Sequence, residues 1–282
     1  MLVYHINRSD GEMNAVVRAV AFDMDDTLLR DDRTISPYTL SVLKKAAEQG
    51  IAVIPASGRA RDSMKPFVEQ MDCAACYIAC NGAEVWSPEH TLMHRETIDV
   101  ALAREVAAFA KAHHAYCQVY YDEKFYYSHR GVYADQYAAS SMLTGEYAGD
   151  LTKFIDRPTT KVLMMDEPEK IACMLAEAHH LLDGRAQVTC SKPYFLEVNP
   201  LKATKGIALD FAAEHLGFSV KDAVAFGDSL NDLSMLKAAG LGVAMANARE
   251  DVKAVIPEHC LSNEEDGVAR YIAQHLLQEE MQ

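Results

Sequence analysis

Val16-Val17-Arg18-Ala19-Val20-Ala21-Phe22-Asp23-Met24-Asp25-Asp26-Thr27 opens as a short apolar run and closes on three carboxylates and a hydroxyl. A run of this length, rich in Val and ended by Phe, suits an interior strand. About 200 residues later the pattern returns, with Ala223-Val224-Ala225-Phe226 leading into Gly227-Asp228-Ser229-Leu230-Asn231-Asp232. Parallel sheets display ligand sites beyond the carboxyl ends of their strands. Two such runs in one sheet would bring Asp23, Asp25, Asp228 and Asp232 together, and four like charges require a hard cation or a shared proton. Mg²⁺ meets that requirement, and the pattern points to metal-assisted phosphoryl transfer.

Strand, polar turn and helix alternate around these runs. Ser36 reads as an N-cap and Pro37 as the first residue of a helix whose Leu40, Leu43 and Ala47 share a face, with Gly50 as its stop. The strand Ile51-Ala52-Val53-Ile54 runs into Ser57-Gly58-Arg59, and Cys76-Tyr77-Ile78-Ala79-Cys80 into Asn81-Gly82-Ala83. Between them Pro66 interrupts a helix over Arg61–Met71, which is expected to begin late or bend there. From Trp86 the texture changes: a helix over Val100–His114, then a hairpin of Tyr116–Tyr121 and Phe125–Ser128, a strand over Lys161–Met165, a helix over Pro168–Leu182, and strands over Ala186–Ser191 and Tyr194–Val198. Helices at Gly206–Leu216, Asp232–Ala239 and Val268–Leu277 and strands at Ala223–Phe226 and Leu241–Met245 then resume the alternation. The expected architecture is α/β: a Rossmann-like doubly wound parallel sheet core, 16–84 and 193–282, with an inserted α+β cap domain over 85–192 and a loose extension over 1–15.

The chain has 282 residues, half of them hydrophobic, and a net charge of −14. Such a field opposes general affinity for nucleic acid or acidic membrane surfaces, while leaving a small anionic substrate open through a local cation. No apolar run approaches the ~20 residues that span a bilayer, and the start lacks a secretory pattern. Seven cysteines, several inside apolar runs (Cys76, Cys80, Cys173, Cys190), read as reduced thiols, and with the missing leader they imply a cytoplasmic protein. Cys73-Ala74-Ala75-Cys76 has metal or redox spacing but no second pair, and the neighbours His113-His114 and His179-His180 point about 100° apart on a helix. The sequence carries no signal of oligomeric state.

Each motif has an ordinary reading beside its chemical one. Asp23 and Asp25 could simply be an acidic turn leaving a sheet. They are a poor EF-hand, because counting from Asp23 puts Leu28 where the turn glycine belongs and Thr34 where the bidentate Glu belongs. Ser57-Gly58-Arg59 offers a hydroxyl and backbone N–H groups for phosphate oxygens, but is also a common turn. Lys205, near a helix N-terminus, could reach a phosphate or lie in solvent. In Gly227–Asp232 a cap would need one such residue, and three carboxylate or amide groups are present. No GxxxxGK[ST] stretch occurs, which excludes an ATP-cradling P-loop of that type.

Taken together, Asp23-x-Asp25-x-Thr27, Ser57, Lys205 and Gly227-Asp228-x-x-Asn231-Asp232 resemble, in order and spacing, the four motifs of the haloacid dehalogenase-like hydrolases. Asn81-Gly82-Ala83, the late insertion and Ala244-Met245-Ala246-Asn247-Ala248 resemble the Cof-type branch with a class IIB cap, mostly sugar phosphatases and related enzymes. The resemblance covers about Val16 to Leu277 and implies a Mg²⁺-dependent phosphatase of a small phosphorylated metabolite. It implies that Asp23 attacks phosphorus and that Asp25 is the acid and base. Mg²⁺ would lie among Asp23, the Asp25 carbonyl and Asp228, with Ser229 grouped beside them and Asp232 steering. Met24, Ser57, Gly58, Lys205 and Asn231 would hold the phosphate, while Arg59, Asn81 and Gly82 would face the substrate. Two departures stand out: Asp26 where the family commonly has Gly, and Ser57 where Thr is frequent. The cap tyrosines Tyr120, Tyr121, Tyr126, Tyr127, Tyr133 and Tyr137 could stack on a sugar, although aromatic residues more commonly just cover a sheet. A phosphomutase, or a metabolite-binding regulator without activity, are the alternatives.

Overall fold

The computed structural model describes residues 17–121, 124–141 and 143–277, so the expected N-terminal extension over 1–15 lies outside the described residues. Ala19–Asp23 (β1) is buried at all five positions, as a strand covered on both faces must be. After it come the helix Pro37–Glu48 (α1), strand Ala52–Ala56 (β2), helix Arg61–Met71 (α2), and three short strands Tyr77–Ala79 (β3), Glu84–Trp86 (β4) and Leu92–Arg95 (β5). Ser36 caps α1 by accepting a hydrogen bond from the Thr39 N–H at 3.0 Å, Pro37 follows, and Gly50 leaves it at φ +85°. The buried face centres on Val42, Leu43 and Ala46, with Leu40 and Ala47 at its margin. Pro66 lies within a continuous α2, in its second turn.

The middle of the chain contributes helix Val100–Ala112 (α3), strands Tyr116–Tyr121 (β6) and Lys124–Tyr127 (β7), helix Val132–Ser141 (α4), strand Thr144–Tyr147 (β8), the short helix Leu151–Phe154 (α5), strand Val162–Met165 (β9), helix Pro168–Leu182 (α6), and strands Ala186–Thr189 (β10) and Phe195–Pro200 (β11). The last part adds helix Lys205–His215 (α7), strand Ala223–Gly227 (β12), helix Leu233–Ala238 (α8), strand Leu241–Ala244 (β13), the short helix Glu250–Lys253 (α9), strand Glu258–His259 (β14) and helix Gly267–His275 (α10).

Two sheets result. The eight-stranded core sheet runs β14-β13-β12-β1-β2-β3-β4-β5, parallel from β14 to β3 and antiparallel at β4 and β5. Helices flank it, α1 packing with α10 and α7 with α8. The six-stranded sheet runs β10-β11-β9-β6-β7-β8, antiparallel except between β7 and β8. Alternation divides its faces: Cys117, Val119, Val162, Met164, Leu196 and Val198 pack against α3 and α6, whereas Tyr116, Tyr120, Leu163 and Met165 lie on the other face with Tyr137 of α4.

Sheet membership corrects the expected boundaries. β4, which starts at residue 84, and β5 beyond it belong to the core sheet, and β11, beyond residue 192, belongs to the cap sheet through its pairing with β9 and β10. β5 is mostly exposed and shows no period-two burial, so its pattern carried no strand signal. β11 runs almost directly into α7, which made it resemble a core strand. Cys173 and Cys190, expected within the apolar interior, are exposed, since they fall on the outer side of α6 and just beyond β10. No helix among the described residues is long and apolar enough to cross a membrane.

Candidate active site

β1 lies between β2 and β12, and its register sets Asp23 beside Ala56 and Phe22 beside Phe226. Asp23, Ser57 and Asp228 therefore emerge at one height from three adjacent carboxyl ends. Beyond Asp23 the chain makes a wide turn over Met24–Leu28, closed by the Leu29 N–H on the Met24 carbonyl at 2.8 Å. Asp26 takes φ 60°, ψ 8° within it, and the turn returns Thr27 to donate from Oγ1 to Asp228 Oδ1 at 2.9 Å. Thr27 thus holds the two strand ends together.

Lys205 is fully buried at the start of α7. Its Nζ donates to Asp23 Oδ1 and, at 2.6 Å, to Asp232 Oδ1. Asp232 Oδ2 accepts from the N–H groups of Asp228 (3.1 Å) and Ser229 (2.9 Å), so this carboxylate folds its own loop. Gly227 permits that, because a Cβ there would lie 2.5 Å from the Asp232 Cβ. Both oxygens of Asp232 are engaged within the chain, and Ser229 donates from Oγ to Asp228 Oδ2 at 3.0 Å. Each thus also orients its neighbours.

The charges decide what else belongs here. Burial raises the Asp23 carboxyl well above its ordinary range, Lys205 opposes that, and Asp232, Asp228 and Asp25 reinforce it. Asp228 is pushed up to about 6 by burial and then by Asp232, against hydrogen bonds from Thr27 and Ser229. Lys205 is raised despite its burial, because Asp23 and Asp232 hold its proton. Carboxylate oxygens of Asp23, Asp228 and Asp232 come within 4.8 Å of one another, the one such group of potential ligands among the described residues. Three carboxylates facing one ammonium leave two negative charges, which fits a divalent cation held by oxygen donors. Cys73 and Cys76 belong to no such group.

Asp25 turns away from this cluster. Its side chain is 48% exposed and accepts a bidentate pair of hydrogen bonds from Arg59, at 2.7 Å from Nε and 2.6 Å from Nη2. The crevice walls push the Asp25 carboxyl up, and the hydrogen bonds and charge of Arg59 more than reverse this, leaving it below the ordinary range. Only its backbone stays within the turn around Asp23. Arg59, expected at the substrate, is here committed to Asp25 and also lies over the Phe67 ring, 5.4 Å from its centroid.

Ser57 is buried, with its Oγ accepting from the Arg59 N–H at 3.1 Å, and Met24 is buried beside Asp23. Asn231 donates from Nδ2 to Asn81 Oδ1 at 3.0 Å, joining a phosphate-site expectation to a substrate-site one. Gly82 is buried at φ +96°, and a Cβ there would lie 2.2 Å from the Thr204 carbonyl oxygen. It lets the turn after β3 press against the start of α7 and so seats Lys205.

A cavity of about 330 Å³ opens over these groups. Its core wall includes Asp23, Asp25, Ser57, Arg59, Asp228 and Asn231, and its cap wall Tyr137, Lys161, Phe195 and Glu197. Of the six cap tyrosines considered, only Tyr137 lines it; the others cover the cap sheet or lie elsewhere. Lys161 and Glu197 were missed, although a charged residue beside or within an apolar strand run, as in Phe195-Leu196-Glu197-Val198, was a readable signal. A neighbouring cavity of about 680 Å³, between Trp86, Arg95, Tyr121 and Arg157, is larger but holds none of the clustered carboxylates.

A family profile described as haloacid dehalogenase-like hydrolase matches residues 20–272. The phosphatase YwpJ of Bacillus subtilis (strain 168) is 30% identical, over 93% of this chain and 100% of its own length. The 5-amino-6-(5-phospho-D-ribitylamino)uracil phosphatase YcsE of the same organism is also 30% identical, over 93% of this chain and 96% of its own. The crystal structure of a haloacid dehalogenase-like hydrolase from Bacteroides thetaiotaomicron superposes with a TM-score of 0.82 at 29% identity, covering 91% of this chain and 98% of that one. With the four motifs meeting at Asp23 and the match running nearly end to end, the chain belongs to the haloacid dehalogenase-like hydrolases, in their Cof-type branch.

Proposed function

We propose that this phosphoric monoester hydrolase acts on a small phosphorylated metabolite, with a sugar phosphate as the leading class, and passes the phosphoryl group through Asp23. The observation that carries the reading is the placement of Asp23, Ser57 and Asp228 at three adjacent parallel strand ends, with Lys205 reaching Asp23 from the start of α7 and Asp232 locked behind them.

Asp23 would attack phosphorus in line, forming an acyl phosphate as the bond to the leaving oxygen breaks, and water would then cleave the acyl phosphate to release inorganic phosphate. Lys205, kept protonated by two carboxylates, supplies fixed positive charge where the transferring oxygens gather. Ser57 Oγ and the N–H groups of Met24 and Gly58 complete the phosphate cradle, with Asn231 at its rim. Asp25 would protonate the leaving oxygen and then accept a proton from water, which requires Arg59 to release it: while paired, its depressed proton affinity makes it a poor acid. Asp23, Asp228 and the Asp25 carbonyl would hold Mg²⁺, which when bound offsets the negative charge of phosphate and carboxylates.

The test is phosphate release from a panel of phosphorylated metabolites, with Mg²⁺, with EDTA and with Asp23→Asn. Turnover should require the metal and fall about 10³-fold or more in the variant. Full activity in EDTA or in the variant would sink the mechanism, and an isomeric sugar phosphate in place of inorganic phosphate would mark a phosphomutase.

A further inference from the structure

Glu197 lies in the middle of β11, between the fully buried Leu196 and Val198, and its side chain is 4% exposed. Its Oε1 accepts from Lys161 Nζ at 3.0 Å, while Oε2 is buried and has no hydrogen-bond partner. A structural ion pair that only tied two strands together would be expected to satisfy both oxygens, because a buried acceptor left without a donor is costly. Lys161 remains charged, its proton held by Glu197 against the effect of burial. The same ammonium reaches the Gly58 carbonyl at 3.3 Å, fixing Glu197 relative to the phosphate-site loop.

A complementary donor lies on the same wall. Tyr116 donates to Gln118 Oε1 (2.7 Å), Gln118 Nε2 to the Tyr120 hydroxyl (2.6 Å), and Tyr120 to the Tyr137 hydroxyl (2.6 Å). The chain runs in one direction, so the Tyr137 hydrogen has no acceptor among the described residues. Phe195, 6.2 Å from Tyr137 between ring centroids, adds an apolar ring to the lining of the same cavity.

We propose that Glu197 determines specificity: Oε2 accepts a hydrogen bond from an O–H or N–H of the leaving group, and the Tyr137 hydroxyl donates to an acceptor on it. This rests on the phosphatase reading above and deepens it. The substrate class is a small phosphomonoester whose leaving group carries such a donor, whether a sugar hydroxyl or an amino group on a heterocycle. Lys161 is a positioning residue, acting through Glu197.

The experiment compares kcat/KM for hexose and pentose phosphates, amino-heterocyclic phosphomonoesters, and acetyl phosphate, whose leaving group has no donor. Wild type should prefer one of the first two groups over acetyl phosphate, which also tells the two sources apart. In Glu197→Gln, nearly isosteric but with an amide in place of the carboxylate, that preference ratio should fall at least tenfold. A smaller fall, or a wild type that shows no preference over acetyl phosphate, overturns the proposal while leaving the phosphatase reading intact. No turnover of any ester by the wild type would instead sink both. Should the variant fail to fold, deoxy or desamino analogues assayed on the wild type decide: the best substrate must lose at least tenfold in kcat/KM on losing one donor, or the proposal fails.

Discussion

Asp26 takes the left-handed position of the turn that follows β1. The turn that returns Thr27 to Asp228 needs a left-handed residue, φ 60° and ψ 8°, at this position. Glycine adopts that conformation without strain, and Asp is among the few side chains that tolerate it. Its carboxylate, at the edge of the cavity, has no assigned chemistry, and partial desolvation, followed by the charges of Asp25 and Asp31, raises its proton affinity. Asp26→Gly should therefore stabilise the fold by about 0.5–1 kcal/mol, strain and repulsion together outweighing the entropy of the freer unfolded chain. Urea unfolding at neutral pH measures this, and a loss of stability would show that the Asp26 carboxylate does structural work. Asp23, Ser57 and Asp228 were legible at this scale because each lies immediately after an apolar strand run. Whether Arg59 meets substrate or Asp25 was not, because that choice depends on a neighbour 34 positions away.

Among the elements, α7 and the turn after β3 depend on each other. Gly82 admits the Thr204 carbonyl where a Cβ would intrude, and Lys205 follows at once. Gly82→Ala meets both a steric clash and a left-handed φ of +96°, and should cost about 2–4 kcal/mol. Because the backbone carrying Lys205 must move, kcat/KM should fall as well; a variant that melts and turns over like wild type would refute this account of the turn. The capped helix α1 could be read from Ser36-Pro37 and Gly50, as these signals act within one turn. β5 and the sheet membership of β11 resisted such reading. An edge strand with exposed side chains leaves no period, and no local pattern says which of two sheets will pair a strand.

At the scale of the molecule, the two sheets enclose the cavity through contacts that cross between them: Lys161 to the Gly58 carbonyl, Arg33 to the Ser140 carbonyl at 3.3 Å, and Ser63 Oγ to the Ser141 carbonyl. The core brings Asp23, Asp228 and Asp232 together at a cost that a cation would relieve, so Mg²⁺ binding should raise the stability of the whole fold. At roughly a hundredfold excess over its dissociation constant the gain is about 2.7 kcal/mol, or about 5–10 °C in Tm. Differential scanning calorimetry with Mg²⁺ and with EDTA should show that rise in wild type and little of it in Asp228→Asn. Equal shifts in both proteins would place the cation elsewhere.

The alternation of apolar runs and polar turns was enough to establish a parallel core with an insertion, and the order of four short motifs was enough to place the chain in its family. Both are local properties, carried by residues adjacent in the chain. Which side chains line the cavity was decided only in three dimensions. Tyr137, Lys161 and Glu197 come from separate helices and strands, and a buried carboxylate oxygen is seen to lack a partner only when every neighbour around it is in place.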